Sequence, residues 1–297
     1  MKNVITSIVF MKTIIAIEDA LWFYGFKLFY SLKHPSFGPF LFLRRIVRKI
    51  LGSRHFLSDH ELTPKSVPKK IYIFWAQGWD NAPLLCQLCR ESWIINNPGW
   101  EVVPVTMNDF EKYVNLDYSL SGKNVSFTNY SNILRLAILS KDGGVWADPT
   151  TFCRTPLDAW LPFLMQTGFF AFSKQKTTIA DWFLASEAGG FLMRQYEQYA
   201  YRYWKYANSE ERYFWPHYLF EYLVQNNKRI KMLWNQTPHI SSQGSYSVQK
   251  FLKQEGSDHE AAIPMLFDED RPISKLDWRI TVSDVWIEKV RSQLHKI

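Results

Sequence analysis

NYSNILRLAILSKDGGVWADPT, residues 129–150, is the stretch that decides the fold. From about Asn129 to Lys141 it reads as a helix. Gly143 and Gly144 end that helix as glycine usually does, by supplying backbone angles that side chains avoid. Val145 to Ala147 then reads as a short strand, with Asp148 where the strand finishes. Ligands of open α/β sheets gather beyond the carboxyl ends of the strands, so the position of Asp148 is informative by itself. Helical spacing sets Asn132 and Arg135 on one face. An amide, a cation, a carboxylate and the Thr150 hydroxyl therefore converge on one strand end. Such a set can hold a metal–diphosphate and a sugar, because a guanidinium neutralises phosphate and a carboxylate holds a hard divalent cation. The same residues serve equally well as a plain Arg135–Asp148 ion pair that ties helix to strand.

Working outward, the flanks repeat an alternation of strand and helix. Lys70 to Trp75 reads as a buried strand ended by Gly78, and Pro83 suits the first turn of a helix that runs to about Asn96. Asn97, Pro98 and Gly99 stop it; Trp100 to Val105 is a second strand, and Asp109 to Val114 a short helix. This spacing predicts a doubly wound, mostly parallel sheet. Downstream, helices are expected over Asp181 to Trp204 and Tyr213 to Val224. On that reading Asp181 and Glu187 are helix-surface carboxylates, with an acceptor contact as the alternative, and His217 and His239 are isolated structural histidines. No internal repeat or low-complexity tract is present. The chain divides into a helical, basic extension over 1–60 and an α/β domain over 61–297, joined by a polar connector that holds Pro64 and Pro68.

Hydrophobic residues make up 47% of the 297 and charged ones 21%, the balance of a globular chain and not of a disordered one. Aromatics reach 17%, which supplies core material and flat faces that stack on sugars or bases. The net charge of +7 is uneven: residues 1–60 hold nine Lys and Arg against Glu18, Asp19 and Asp59, so the rest is nearly neutral. That distribution argues against nucleic acid as the partner and toward an anionic membrane surface. Leu43, Ile46, Val47, Ile50 and Leu51 form an apolar helical stripe opposite Arg44, Arg45, Arg48 and Lys49, the pattern of an interfacial anchor. The aromatic run from Trp22 to Tyr30 would add insertion at the headgroup level. The alternative is that these faces pack on the main domain. The best early apolar run, Val4 to Ile17, is broken by Lys12 and too short to span a bilayer. Cys86, Cys89 and Cys153 form no disulfide framework, and Cys86 and Cys89 lack a second ligand pair for zinc. Core packing in a reducing, cytoplasmic compartment is the expectation, with the chain peripheral on the inner face of the plasma membrane.

The block over 129–150 resembles the capsular polysaccharide synthesis glycosyltransferases. It is more distantly similar to the yeast-type initiating α-mannosyltransferases, whose pattern is a Ser-Asp-x-x-Arg helix, a Gly-Gly turn and a D-x-D or D-x-T strand end. Further segments match in order over about residues 68–280: Lys69 to Pro83, Cys89 to Pro98, Ala180 to Ser186, Tyr213 to Phe220 and Pro272 to Trp278. The resemblance implies a GT-A type fold with a Rossmann-like mixed sheet, and sugar transfer from a nucleotide-diphosphosugar, UDP- or GDP-linked, to a lipid-linked oligosaccharide or polysaccharide of capsule or lipopolysaccharide. It further implies that Asp148 contacts metal and donor ribose, with Thr150 where many relatives carry a second aspartate. Arg135 and Asn132 would face the donor sugar and diphosphate, Trp75, Gln77 and Gly78 the nucleotide base, and Lys275 the diphosphate. Mn²⁺ or Mg²⁺ is the cofactor the resemblance implies, held at Asp148 and Thr150.

Two departures stand out. Asn132 takes the place of the family's usual aspartate, which removes a charge and a base. Asp148-Pro149-Thr150 supplies one carboxylate where two often chelate the metal, although the capsular group commonly carries threonine there, and one carboxylate with phosphate oxygens and waters still suits a phosphate-bridging Mg²⁺ or Mn²⁺. Sugar transfer shares the oxocarbenium-like transition state of glycoside cleavage, so stabilising the departing diphosphate is the main task. Relatives with these motifs are mostly retaining, and no residue reads as a nucleophile. A front-face displacement in which the leaving phosphate takes the acceptor proton is the expectation. A glycan-binding or scaffold protein without activity is the other reading, which the change at Asn132 keeps open.

Overall fold

Strands β1 (Lys70–Phe74) and β3 (Gly144–Ala147) lie side by side and parallel, and the remaining architecture is built around them. The computed structural model describes residues 17–28, 66–116, 120–175, 178–210, 213–268 and 270–296. β2 (Glu101–Val105) pairs with β1 in parallel, and the five-stranded order is β2-β1-β3-β6-β5. β6 (Thr178–Ser186) runs antiparallel to β3, and β5 (Phe169–Gln175) antiparallel to β6. The fold is thus the mixed α/β arrangement that the resemblance implies, half parallel and half antiparallel, where the strand–helix alternation alone suggested a mostly parallel sheet. The reason is local: β5 and β6 are neighbours in sequence, and so short a connection joins strands only as an antiparallel pair.

Side chains alternate across this sheet. Tyr72, Phe74, Trp146 and Leu184 belong to the core on one face, Ile71, Ile73, Val145 and Phe183 to the core on the other. The first face is covered by α3 (Phe127–Lys141), α5 (Phe191–Tyr206), α6 (Trp215–Asn226) and α7 (Lys228–Gln236). The second is covered by α2 (Leu84–Asn96) and α4 (Leu157–Leu164). A third apolar cluster lies beyond α2, where Leu85 and Leu88 meet α8 (Ser247–Leu252), α9 (Ala262–Leu266) and α10 (Asp284–Leu294).

The elements read near residue 129 form as expected. Ser126 caps α3 by accepting from the Asn129 amide at 3.3 Å, which satisfies one of the free donors at a helix start. Gly143 and Gly144 hold φ of +67° and +96°. A Cβ on Gly143 would come within 2.5 Å of the Ala188 amide nitrogen, so the turn needs glycine for space as well as for angle. Asp109 to Val114 shortens to a single 3₁₀ turn, Phe110–Lys112.

The helix expected over Asp181 to Trp204 is corrected. Residues up to Ser186 are strand β6, and the helix begins only at Phe191, after Gly189 and Gly190. β6 feeds Ile179 and Leu184 to one core and Ala180, Trp182, Phe183 and Ala185 to the other. A strand buried on both faces reads as an unbroken apolar run, which periodicity cannot separate from a buried helix.

A helix over residues 17–28, α1, turns its aromatics inward. Trp22, Phe23 and Phe26 are buried in the first core, with the Trp22 ring against Phe26, Tyr199 and Tyr222. Asp19 pairs with Arg202 at 3.3 Å and Lys205 at 3.0 Å. For these residues, then, packing on the main domain is what occurs, and headgroup insertion of Trp22, Phe23 and Phe26 is corrected. The stripe from Leu43 to Leu51 lies outside the described residues. No helix among the described residues is long and apolar enough to cross a membrane. Cys86, Cys89 and Cys153 are buried free thiols; burial pushes Cys86 and Cys153 up to about 12, so both are inert packing groups.

Candidate functional site

Asp148 follows β3, and its amide donates to Trp182 O of β6 at 2.9 Å, one residue beyond the paired strand. Its carboxylate is therefore fixed at the edge of the sheet's carboxyl end. Oδ1 accepts from Trp146 Nε1 and from Arg135 Nη2, each at 3.2 Å. Oδ2 faces Lys275 Nζ at 3.6 Å.

Arg135 reaches Asp148 from α3 and has no donor left over. Nε donates to Ser131 O at 3.3 Å and Nη2 also to Ser131 Oγ at 3.1 Å. Nη1 serves Asp181, through its carboxylate Oδ2 at 3.1 Å and its backbone carbonyl. The guanidinium lies over the Trp146 ring, 5.4 Å from its centroid. With a side-chain exposure of 5%, Arg135 is an orienting cation between two carboxylates. It has no free fork for a phosphate.

Lys275 arrives from the far end of the chain. A two-stranded sheet pairs β4 (Thr151–Cys153) with β7 (Ile273–Lys275), in register Thr151 to Lys275. Leu276 N donates to Thr150 O at 2.7 Å, which continues the clasp. The ammonium thereby hydrogen-bonds the Thr150 hydroxyl as well as facing Asp148. Trp278, three residues on, meets Trp75 edge to face at 6.2 Å between ring centroids. The Trp75 Nε1 proton is buried and has no partner among the described residues. Gly78, φ +89°, turns the loop after Trp75, and its amide donates back to Trp75 O at 3.2 Å. Asp148, Arg135, Thr150 and Lys275 thus come together directly, and Trp75 joins them through the Trp278 segment. Gln77 does not join: its side chain is exposed, and only its carbonyl is engaged, accepting from Asn81. Asn132 lies one turn before Arg135 on α3 and is buried.

Two residues set aside in the sequence belong here. Asp181 is no helix-surface acid but a β6 residue, and its carboxylate links Arg135 to His217, whose Nε2 is 3.4 Å from Oδ1. Burial alone would raise the Asp181 carboxyl, but the neighbouring His217 and Arg135 outweigh it and hold the group below its ordinary value. Burial also lowers His217, against the pull of Asp181, which keeps the ring neutral at neutral pH. In the neutral ring Nε2 carries the proton toward Asp181, and Nδ1 is left buried with no partner. The Phe214 ring packs on His217 at 5.3 Å, with Tyr213 beside it, and both aromatics are open to solvent. The usable signal was the pair of motif segments Ala180 to Ser186, which carries Asp181, and Tyr213 to Phe220, which carries His217. Glu187, at the opposite end of β6, packs against Gly168 and Gly190 instead. His239 is structural as expected, between Ser173 Oγ at 3.3 Å and Trp234 O at 3.0 Å.

The donor set does not suit a resident divalent cation. No cluster of three or more His, Cys, Asp or Glu side chains exists among the described residues. The two groups expected to hold Mn²⁺ or Mg²⁺, Asp148 and Thr150, are the two that hold the Lys275 ammonium. A divalent ion between them would sit beside a fixed like charge, whereas such ions take oxygen ligands free of competing cations.

The sequence over residues 40–294 matches the family model described as capsular polysaccharide synthesis protein. No curated protein matches the chain. Among solved structures the PaToxG glycosyltransferase is similar, with a TM-score of 0.38 and 11% identity over 78% of this chain and 87% of that one. That likeness is too loose to bear on the site.

Proposed function

From the premise that the chain belongs to the capsular polysaccharide synthesis protein family, we propose that it is a retaining glycosyltransferase that moves a sugar from a nucleotide-diphosphosugar to a lipid-linked surface polysaccharide. The observation that carries this reading is the carboxylate Asp148 at a strand end, gripped by Arg135 and approached by Lys275. Such a strand end is where α/β sheets bind ligands, and the residue types suit a sugar diphosphate.

In this reading the nucleobase stacks on the aromatic corner that Trp75 and Trp278 make by meeting edge to face, beside the turn at Gly78. Asp148, already oriented by Arg135 and Trp146, accepts from the donor ribose or sugar hydroxyls. Lys275 meets the diphosphate. As the anomeric bond breaks, negative charge grows on the β-phosphate oxygen, and the Lys275 ammonium, delivered by the locked β4–β7 backbone, turns from Asp148 to stabilise it. The acceptor oxygen bonds the anomeric carbon from the same face, and its proton passes to the departing phosphate. Asn132, which cannot take a proton, contributes amide hydrogen bonds only. The open rings of Tyr213 and Phe214 beside His217 offer a stacking face for the acceptor sugar. The basic charge of residues 1–60 supports docking on the anionic inner face of a membrane, where a lipid-linked acceptor would be found.

The test is equilibrium binding of UDP and GDP to the wild type and to Asp148→Asn. One nucleotide is expected to bind, and the variant to lose at least about tenfold in affinity, or about 1.4 kcal/mol. Failure of the wild type to bind either would turn the reading toward a glycan-binding protein without activity.

A further inference from the structure

Resting on that donor-site reading, we infer that Lys275 does the work of a divalent cation and that the protein binds its nucleotide diphosphate without metal. Three observations converge. The position after Asp148 and Pro149 that would complete a metal-binding pair is Thr150, a hydroxyl and not a carboxylate. The Lys275 ammonium occupies the gap between that hydroxyl and Asp148 Oδ2, and its side chain is only 15% exposed. The backbone that delivers it is locked by the β4–β7 pairing and by the Leu276–Thr150 hydrogen bond, so the ammonium is built into the site and not a passing surface charge.

The pairing of charges supports the same conclusion. Arg135 and Lys275 are the cations paired with Asp148 and Asp181, while Lys174 acts on Asp181 and His217 from farther off, over the Phe214 ring. A diphosphate arriving here needs a cation released toward it. Arg135 cannot supply one, since all its donors are spent on Ser131, Asp148 and Asp181. Lys275 can, because Asp148 keeps Arg135 and Trp146 when the ammonium turns to phosphate oxygen. In the transfer step the bond from the anomeric carbon to the β-phosphate oxygen breaks and its electron pair leaves with the phosphate. The bond from the acceptor oxygen to that carbon forms, and the acceptor proton goes to the phosphate. Lys275 stays protonated throughout and needs no co-reactant.

Isothermal titration of the full chain with UDP and with GDP, in excess EDTA and again with Mn²⁺ or Mg²⁺, tests this. The favoured nucleotide should bind with the same affinity in EDTA as with metal. Lys275→Met should weaken it at least about tenfold in EDTA, and Lys275→Arg, which keeps the charge, should retain most of it. Thermal melts of both variants establish that they fold; the wild type in EDTA decides the question even if Lys275→Met does not. Binding that appears only with Mn²⁺ or Mg²⁺, or a Lys275→Met variant that binds like the wild type, overturns the inference while leaving the donor site standing. No binding of either nucleotide by the wild type under any condition removes the donor-site reading itself, and this inference with it.

Discussion

At the scale of single residues, Arg135 and His217 make distinguishable claims. Arg135 is buried with every N–H used, between two carboxylates that have few other partners. Lysine has one compact ammonium and cannot bridge both acids, so Arg135→Lys leaves one of them buried without its counter-charge. Breaking a buried pair in this way costs about 3–5 kcal/mol, and urea denaturation should show it as a lower midpoint with unchanged slope. Lys275→Met, by contrast, frees Asp148 only of a partner at 3.6 Å and should leave the midpoint near the wild-type value. His217 predicts a pH dependence. Its folded pKa lies below the ordinary 6.5, so on acidification the unfolded chain takes up that proton first. Stability therefore falls as the pH drops below 6.5 toward the folded value. Asp181 acts in a lower window, since its depressed pKa gives stability that is present above 3.8 and lost as pH falls through the folded value. Melting temperatures of His217→Gln and wild type, compared between pH 7.5 and 5, should show a shallower acid decline in the variant. Parallel declines would mean that His217 titrates alike in both states.

At the scale of elements, α3, its glycine turn and β3 were legible because each is signalled locally, by helical spacing, a breaker and a short apolar run. The turn can be tested. Gly143 combines φ of +67° with a backbone neighbour where its Cβ would go. Since that neighbour is the main chain at Ala188 and not a flexible side chain, Gly143→Ala should cost more than the usual left-handed penalty of about 1–2 kcal/mol. Chemical denaturation reads this directly; a loss below about 1 kcal/mol would show that the turn relaxes. The acidic half of the site was legible only at Asp148. Asp181 was in view but assigned to a helix, because β6 is apolar toward both cores and its period of two is hidden. Once it is a strand beside β3, Asp181 falls next to Arg135, and His217 follows from the helix packed above. Lys275 lay 125 positions from Thr150 and could be tied to it only by a motif, since spacing carries no information over that distance. The filled gap between Asp148 and Thr150 was not readable at all, because which cation sits against a carboxylate is a matter of tertiary packing.

At the scale of the molecule, charge and burial divide the basic end of the chain into two parts with different consequences. Residues 17–28 belong to the main core: Phe26 is fully buried, and Asp19 is tied to Arg202 and Lys205 on α5. Removing them would open a cavity beside Tyr199, Tyr203 and Tyr222, and Phe26→Ala alone should cost about 3–5 kcal/mol. Deleting the first 55 residues would thus damage the fold and the proposed membrane contact together, so loss of vesicle binding in that deletion would decide nothing. Charge reversal separates them. In the helical reading of the sequence, Arg44, Arg45, Arg48 and Lys49 fall opposite the apolar positions from Leu43 to Leu51, and each basic residue at an anionic surface is worth about 1 kcal/mol. The outer face of α1, with Ile17, Leu21 and Tyr24 exposed at helical spacing, adds apolar area on that end of the chain. The wild type should therefore pellet with vesicles containing phosphatidylglycerol, less so as salt rises, and hardly with phosphatidylcholine alone. Replacing the four basic residues by glutamate should abolish pelleting without lowering the melting temperature. If that variant still pellets, the basic stripe is not the anchor, and the exposed apolar face of α1 becomes the next surface to change.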